Sequence, residues 1–214
     1  MKKKFKRDIF ANKKILLMGP AQTAKSDEDD INLDDFDYVV RCNLILNCFA
    51  NNEIPRTDVI FVNQRATRVL ISDYSETYEN KIILTKASSR KLGSRYPKSI
   101  VSITRVRIKE FKKIHKMKNL YMGTHTLAWL LQSGANVTYG GTDFYWTGFS
   151  DATNYPDKYD FVPTKSGNES GKHKMSGDLR FIKNYLMTEY QGKLHLLPKT
   201  QYYFEKSLEK YGIV

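Results

Sequence analysis

The residue best suited to exchange a proton is His173, one of four histidines in the chain. It closes a long polar segment and precedes a predicted helix, whose dipole would favour the neutral imidazole that accepts a proton. Asp178, in the first turn of that helix, would oppose this effect if it lay close. The other histidines, His115, His125 and His195, are predicted to be structural or exposed. On the residues alone, a functional and a structural role for His173 are equally open.

Glycines and polar residues come directly after several predicted strands. Gly19 and Pro20 follow the first strand, Asn43 the second and Asn63 the third, and the segment from Gly141 to Tyr145 follows a later one. Because open α/β sheets bind ligands outside the carboxyl ends of their strands, we expect these residues to line a nucleotide site. Each signal is weak alone, because strand-end asparagines are usually turn residues and neither GxxxxGK[ST] nor GxGxxG is present.

The elements that must carry these residues are short β-branched strands alternating with helical patterns, which is typical of a parallel sheet. Strands are predicted at 14–18, 38–42, 58–62, 82–84, 99–103, 136–140 and 194–197, the last ending at Pro198. Helices are predicted at 124–132, from an N-cap at Ser176, and near 201–210. The fold class is therefore α/β: a single Rossmann-like domain over 1–214, with a mostly parallel twisted sheet flanked by helices. The polar segment 146–172 lacks periodicity and is predicted to be a small lid.

The formal net charge of +12 calls for an anionic partner: a nucleotide, an acidic sugar, a nucleic acid or an anionic membrane face. Basic residues cluster at 1–7 and at 105–118, where apolar residues recur near helical spacing. We predict a surface helix at 105–118, with membrane or nucleic-acid contact as the alternative. No apolar stretch is long enough to span a membrane and none follows the basic N-terminus, so we expect a cytoplasmic protein.

Neither a metal site nor a disulfide is predicted. The acidic residues between Asp27 and Asp37 lack EF-hand spacing, and the pattern Asp35-Phe36-Asp37 precedes a strand instead of following one. We interpret this acidic segment as a solvated loop with helix caps, and we predict no metal or other cofactor. The two cysteines, Cys42 and Cys48, have no partners at zinc-site spacing, so we expect reduced thiols.

Three segments share the order and approximate spacing of the motifs of one enzyme family. The first joins Ile15-Leu16-Leu17-Met18-Gly19-Pro20 to Phe36-Asp37-Tyr38-Val39-Val40-Arg41-Cys42-Asn43. The second joins Gly123-Thr124, at the start of a helix, to Gly141-Thr142-Asp143-Phe144-Tyr145. The third is His173-Lys174-Met175-Ser176-Gly177-Asp178. The chain thus resembles the bacterial sialyltransferases of glycosyltransferase family 42 and, more distantly, animal-type sialyltransferases and other enzymes that use CMP-activated acidic sugars.

The resemblance implies a GT-A variant that transfers sialic acid from CMP-sialic acid, without a metal, by direct displacement with inversion. It implies that His173 is the general base and that Tyr145 hydrogen-bonds the departing CMP phosphate. A second tyrosine shares that role in the family, and Tyr155 and Tyr159 are both candidates. The resemblance also implies a set of donor contacts: Gly19, Pro20, Asn43, Asn63, Gly123, Thr124, Asp143 and Phe144. Of these, Asn43 and Asn63 would contact the donor's phosphate and ribose. The lid would exclude water from the reacting carbon.

One departure concerns Met18, which stands where the family usually has asparagine. CMP-Kdo or another CMP-linked acidic sugar fits the same pattern. The expected acceptor is a surface glycan or lipid-linked oligosaccharide, as in lipopolysaccharide or capsule, with the basic residues of 1–7 and 105–118 against the inner membrane face. The alternatives are a transferase for another nucleotide sugar, a non-catalytic nucleotide-binding relative and a nucleic-acid-binding protein. We expect no nucleic acid, because no RRM, KH or helix-turn-helix pattern is present.

Overall fold

A computed structural model of the chain describes residues 7–21, 24–42, 56–62, 82–85, 100–102, 120–144, 146 and 175–213. The strands of its sheet are β1 (Lys14–Met18), β2 (Tyr38–Cys42), β3 (Val59–Val62), β4 (Ile82–Thr85), β5 (Ile100–Ser102), β6 (Asn136–Gly140) and β7 (Leu194–Leu196). The α-helices are α1 (Ala24–Glu28), α2 (Met122–Gln132), α3 (Met175–Phe181), α4 (Met187–Glu189) and α5 (Pro198–Lys210). A π-helical turn (Ile182–Leu186) joins α3 to α4, and 3₁₀ turns lie at Arg7–Phe10 and Leu33–Asp35.

The predicted α/β class is confirmed, and every predicted strand is present to within one residue at each end. The three predicted helix starts were wrong. The helix predicted from Thr124 begins two residues earlier, at Met122. Ser176 is the second residue of α3, which begins at Met175, so Ser176 is not the N-cap. Pro198 does not simply end the last strand but is the first residue of α5, with Leu197 as N-cap. Proline suits this position because its fixed φ matches the helix and its missing N–H would have no partner there.

The sheet has the order β5-β4-β3-β2-β1-β6-β7, and every neighbouring pair is parallel. From β1 the chain adds four strands on one side and then crosses to add β6 and β7 on the other. The last residue of β1, Met18, lies opposite Arg41 of β2 and Gly140 of β6. A topological switch point therefore lies between β1 and β6, and the crevice outside their carboxyl ends is where such sheets bind ligands.

The central strand β1 is buried on both faces. Ile15 and Leu17 point into the larger core, which contains α2, whereas Leu16 and Met18 pack into a smaller cluster on the opposite face. This alternation follows from the two-residue period of a strand. Trp129 of α2 fills the larger core and is 1% exposed. Burial on both sides fixes the end of β1, and with it the turn at the switch point.

Candidate functional site

The turns that follow β1 and β6 meet backbone to backbone at the switch point. The Gly19 N–H donates to the Gly140 carbonyl at 2.9 Å, and the Ala21 N–H donates to the Gly141 carbonyl at 3.0 Å. A Cβ on Gly19 would lie 2.5 Å from the Gly141 carbonyl oxygen, and Gly141 has a φ of +64°. Side chains do not fit the first position and rarely adopt the second conformation. The two glycines therefore let the turns after β1 and β6 pack directly against each other, and this contact shapes the crevice at the switch point.

One buried carboxylate, that of Asp27, ties the turn after β6 to α1 and α5. Asp27 is 3% exposed, and its Oδ2 accepts from the Gly141 N–H at 2.9 Å and from the Thr200 hydroxyl at 3.1 Å. The Thr200 oxygen also accepts from the Thr142 N–H at 3.3 Å. The other carboxylate oxygen, Oδ1, is buried without a hydrogen-bond partner among the described residues. Our interpretation of the acidic segment as a solvated loop is therefore wrong at Asp27, which is part of the site's framework.

The same correction applies to Glu28, which pairs with a buried arginine of β2. Arg41 is 1% exposed, and both of its terminal nitrogens donate to Glu28, Nη1 to Oε2 at 2.9 Å. The Arg41 Nε donates to the Thr57 hydroxyl at 3.0 Å. A buried charge without its partner is strongly destabilising, so this bidentate pair fastens α1 to the end of β2. The predicted donor contact Asn43 is the next residue after that strand.

The N-terminus of α2 forms another side of the site, against Tyr139 of β6. A Cβ on Gly123 would overlap the Tyr139 hydroxyl, so only glycine lets the helix come this close. Tyr139 is 3% exposed, and burial raises the pKa of its hydroxyl well above the ordinary value of 10.0, so it stays neutral. The N–H groups of a helix's first turn have no partners within the helix and carry its positive dipole end. This terminus, which includes the predicted contact Thr124, suits a negatively charged ligand.

Asp178 joins α3 to the same helix terminus. It is 1% exposed, and its Oδ1 accepts from the backbone N–H of Tyr121 at 2.9 Å. Tyr121 is the N-cap of α2 and has no side-chain capping bond of its own. The second and third sequence motifs therefore meet in space through Asp178. Because α3 begins at Met175, the helix that follows His173 starts at this edge of the sheet.

The loop after β6 is held against α5. Phe144 has a φ of +51°, which is unusual for an aromatic residue, and its ring packs on that of Phe204 with centroids 5.4 Å apart. The Trp146 Nε1 donates to the Ser207 hydroxyl at 2.6 Å. The residues on both sides of the predicted phosphate ligand Tyr145 are thus anchored to one helix.

Met18, the departure noted in the first motif, is a core residue. Its side chain is fully buried in the smaller cluster, with Ala24 of α1 and Leu197 at the start of α5. The polar side chain found at this place in the resembled family would have to be buried among apolar groups here. The methionine at position 18 is therefore explained by apolar packing beneath the glycine turn.

The structure brings half of the predicted site residues to the carboxyl edge of the sheet, namely Gly19, Pro20, Gly123, Thr124, Asp143 and Phe144. The other predicted residues lie outside the described part of the chain: Asn43, Asn63, Tyr145, Tyr155, Tyr159 and His173. The basic segments 1–6 and 105–118 and the lid, apart from Trp146, also lie outside it. The side chains of Asp143 and Phe144 are 4% and 6% exposed, and their contact with a donor stays a prediction.

Sequence reasoning missed Asp27, Tyr139 and Thr200 as parts of this framework. Tyr139 could have been found, because it shares a strand face with buried Val137 two residues earlier. Asp27 and Thr200 carried no usable signal, since they meet only in the folded chain.

Within the described ranges, no group of three or more histidine, cysteine, aspartate or glutamate side chains could hold a metal ion. Metal independence stays a prediction, because His173 and the lid lie outside those ranges. In the same part of the chain, the helices are too short or too polar to cross a membrane.

No protein-family model and no curated protein matches the chain. Several solved structures do match. CstII, a sialyltransferase from Campylobacter jejuni, in complex with the substrate analogue CMP-3FNeuAc, is 18% identical with a TM-score of 0.56, over 86% of this chain and 81% of that one. CstII in complex with cytidine-5'-monophosphate is 16% identical with a TM-score of 0.58, over 87% and 80%. The monofunctional α-2,3-sialyltransferase Cst-I from Campylobacter jejuni is 19% identical with a TM-score of 0.56, over 87% and 76%. The chain therefore has the fold of these sialyltransferases.

Proposed function

We propose that this protein is a glycosyltransferase that moves sialic acid, or a related acidic sugar, from a CMP donor to a glycan without a metal. The observation that carries the proposal is the glycine-lined switch point between β1 and β6, in a fold shared with structures that hold CMP and CMP-3FNeuAc. The N-terminus of α2 suits the donor phosphate. The net charge of +12 favours an anionic donor in addition.

In the proposed reaction, the acceptor hydroxyl oxygen bonds to the anomeric carbon of the donor sugar. The bond from that carbon to the phosphate oxygen breaks, and CMP leaves with its electron pair, so the configuration inverts. His173 accepts the hydroxyl proton, a role suited to histidine because its ordinary pKa of about 6.5 leaves it neutral at pH 7. The Asp178 bond to Tyr121 supports this role, since it holds the helix that starts two residues after His173 at the carboxyl edge.

The leaving phosphate is proposed to be hydrogen-bonded by Tyr145 together with Tyr155 or Tyr159, in place of a metal ion. The anchoring of Phe144 and Trp146 to α5 supports Tyr145 in this role. Asn43 and Asn63 follow β2 and β3, which succeed β1 in the sheet, and they are proposed to contact the phosphate and the ribose.

The proposed acceptor is a surface glycan or a lipid-linked oligosaccharide. The basic segments 1–7 and 105–118 would then contact an anionic membrane face, where each basic residue contributes about 1 kcal/mol. Co-sedimentation with anionic vesicles tests this contact. The proposal requires binding that weakens as salt rises, and binding that ignores salt would contradict it.

A transfer assay tests the function directly. The purified chain is incubated with CMP-sialic acid and with lactose or 3'-sialyllactose in EDTA, and CMP release and sugar transfer are both measured. The matched variants are His173→Ala and His195→Ala, the latter on the exposed side of edge strand β7. We expect activity in EDTA that His173→Ala lowers by at least about 100-fold and His195→Ala leaves unchanged. Equal activity of both variants, or transfer only from UDP- or GDP-sugars, would overturn the proposal.

A further inference from the structure

A strip of aromatic and cationic side chains runs along the outer side of α5. Trp146 and Tyr202 are 39% and 50% exposed, and they are the large hydrophobic side chains exposed in the described part of the chain. The Lys206 Nζ lies 4.5 Å from the Tyr202 ring centroid and 6.0 Å from that of Trp146. The Lys210 Nζ lies 4.8 Å from the Trp146 centroid and 5.8 Å from that of Tyr211. We call these five residues the α5 strip.

The charges of α5 are segregated around the helix. Lys206 and Lys210 are four residues apart and share one side, to which Lys199, seven residues before Lys206, also belongs. Glu205 and Glu209 are likewise four apart and share the neighbouring side. The cationic zone is therefore narrow and bordered by carboxylates, which fits an elongated anionic ligand better than a broad anionic surface.

The tryptophan of the strip is fixed in place. Its Nε1 is hydrogen-bonded to the Ser207 hydroxyl at 2.6 Å, which holds one edge of the indole against the helix. A ring that is already ordered loses little conformational entropy when a ligand binds it. The negative face of an aromatic ring attracts the C–H groups of a sugar ring, and the ammonium groups of Lys206 and Lys210 can pair with a carboxylate or phosphate on the same ligand.

The strip begins in the first turns of α5, the part of the helix that contacts the loop after β6. Tyr202 lies two residues after Thr200, whose hydroxyl oxygen binds the Thr142 N–H in the loop after β6. Trp146 ends the described part of that loop. From Tyr202 to Lys210 the helix rises about 12 Å, a length that more than one sugar ring can cover.

We infer that the α5 strip is a binding site for an anionic oligosaccharide, with a sugar ring stacked on Trp146 and the acidic group held by Lys206 and Lys210. Its identification as the acceptor chain rests on the proposed function. A bilayer fits the strip less well, because the indole is bound along the helix instead of projecting from it and because the adjoining side of α5 is acidic.

Calorimetric titration with 3'-sialyllactose, and with lactose as the uncharged control, tests the inference on the full chain. We expect the charged sugar to bind more tightly than lactose. Trp146→Ala should weaken its binding by about tenfold, and the double variant Lys206→Ala/Lys210→Ala by about fivefold. The matched control is Glu205→Gln/Glu209→Gln on the other side of the helix, which should bind as well as the wild type or better. Because Trp129 is buried, sialyllactose should protect chiefly Trp146 from acrylamide quenching.

Titration of every variant with CMP separates the two proposals. If the wild type binds CMP but not sialyllactose, or if sialyllactose binding is unchanged in the strip variants, the inference is overturned and the proposed function stands. The inference is also overturned, in favour of a membrane surface, if the wild type binds anionic-lipid vesicles but not sialyllactose and the strip variants lose the vesicle binding. Strip-dependent sialyllactose binding without CMP binding supports the glycan site and counts against the proposed function.

Discussion

Replacing Gly19 by alanine tests whether the close approach of two turns creates the donor site. The new Cβ would stand 2.5 Å from the Gly141 carbonyl oxygen, and real Cβ atoms essentially never approach closer than 3.0 Å. Because the Cβ and the carbonyl oxygen are both fixed by the backbone, no side-chain rotation relieves the overlap. The turns after β1 and β6 must therefore separate by at least 0.5 Å.

This separation stretches the bonds from the Gly19 N–H to the Gly140 carbonyl, at 2.9 Å, and from the Ala21 N–H to the Gly141 carbonyl, at 3.0 Å. Overpacking costs about 1–3 kcal/mol, and the weakened buried bonds add about 1 kcal/mol. We expect Gly19→Ala to lower the free energy of unfolding by about 2–4 kcal/mol, measured by urea denaturation. We also expect CMP affinity to fall by at least about tenfold, measured calorimetrically where the variant is folded, because the turn that borders the switch-point crevice moves.

Gly192→Ala is the matched control. Gly192 has a φ of +75°, but nothing lies within 4 Å of its Cβ position, and it precedes β7 at the opposite edge of the sheet. Alanine there should cost about 1–2 kcal/mol through its backbone conformation alone and leave CMP affinity unchanged. A Gly19→Ala protein with the stability and CMP affinity of the wild type would refute the steric reasoning.

Substitutions at three further positions test the account. Asp27→Ala removes the acceptor of a buried N–H and should lower the free energy of unfolding by about 1–3 kcal/mol in urea denaturation. Asp27→Asn keeps one acceptor oxygen and should lower it less. Equal losses in the two variants would contradict this. Gly123→Ala should weaken CMP binding because its methyl group meets the Tyr139 hydroxyl, although alanine favours a helix by about 1 kcal/mol. An unchanged CMP affinity in calorimetry would count against this contact. Asp37 lies 2.9 Å from the Lys13 ammonium, and this hydrogen bond holds its pKa below the ordinary value of 3.8. The stabilising effect of the Asp37 carboxylate is therefore complete above pH 3.8 and is lost as the pH falls through its lower folded pKa. The urea midpoints of Asp37→Asn and wild type should differ at pH 7 and converge in acid. A difference that does not depend on pH would refute this.

The strands could be predicted because parallel strands are buried on both faces and appear as short apolar runs. Lys14–Met18 is an example, with four of five residues buried. Their order in the sheet could not be derived from those runs, since the pairing of β1 with β6 depends on packing of the whole chain. The switch point is therefore a result of the structure, although its glycines were identified beforehand.

The buried polar links were beyond sequence reasoning. Asp27 lies in an acidic run that looks solvated, and its burial depends on Thr200, 173 residues later. Glu28 likewise finds its partner, the buried Arg41, only when α1 and β2 come together in the folded chain. Ser176 shows the reverse error: a good N-cap residue lies inside the helix, because α3 begins one residue earlier at Met175.

Calorimetric titration of the wild-type chain with CMP, beside UMP, GDP and ADP, tests the central claim most directly. Each titration is run with and without EDTA. We predict saturable binding of CMP in preference to the other nucleotides, with the same affinity in EDTA. Preference for a uridine or guanosine nucleotide, CMP binding that EDTA abolishes, or no nucleotide binding would contradict a metal-independent CMP site at the switch point.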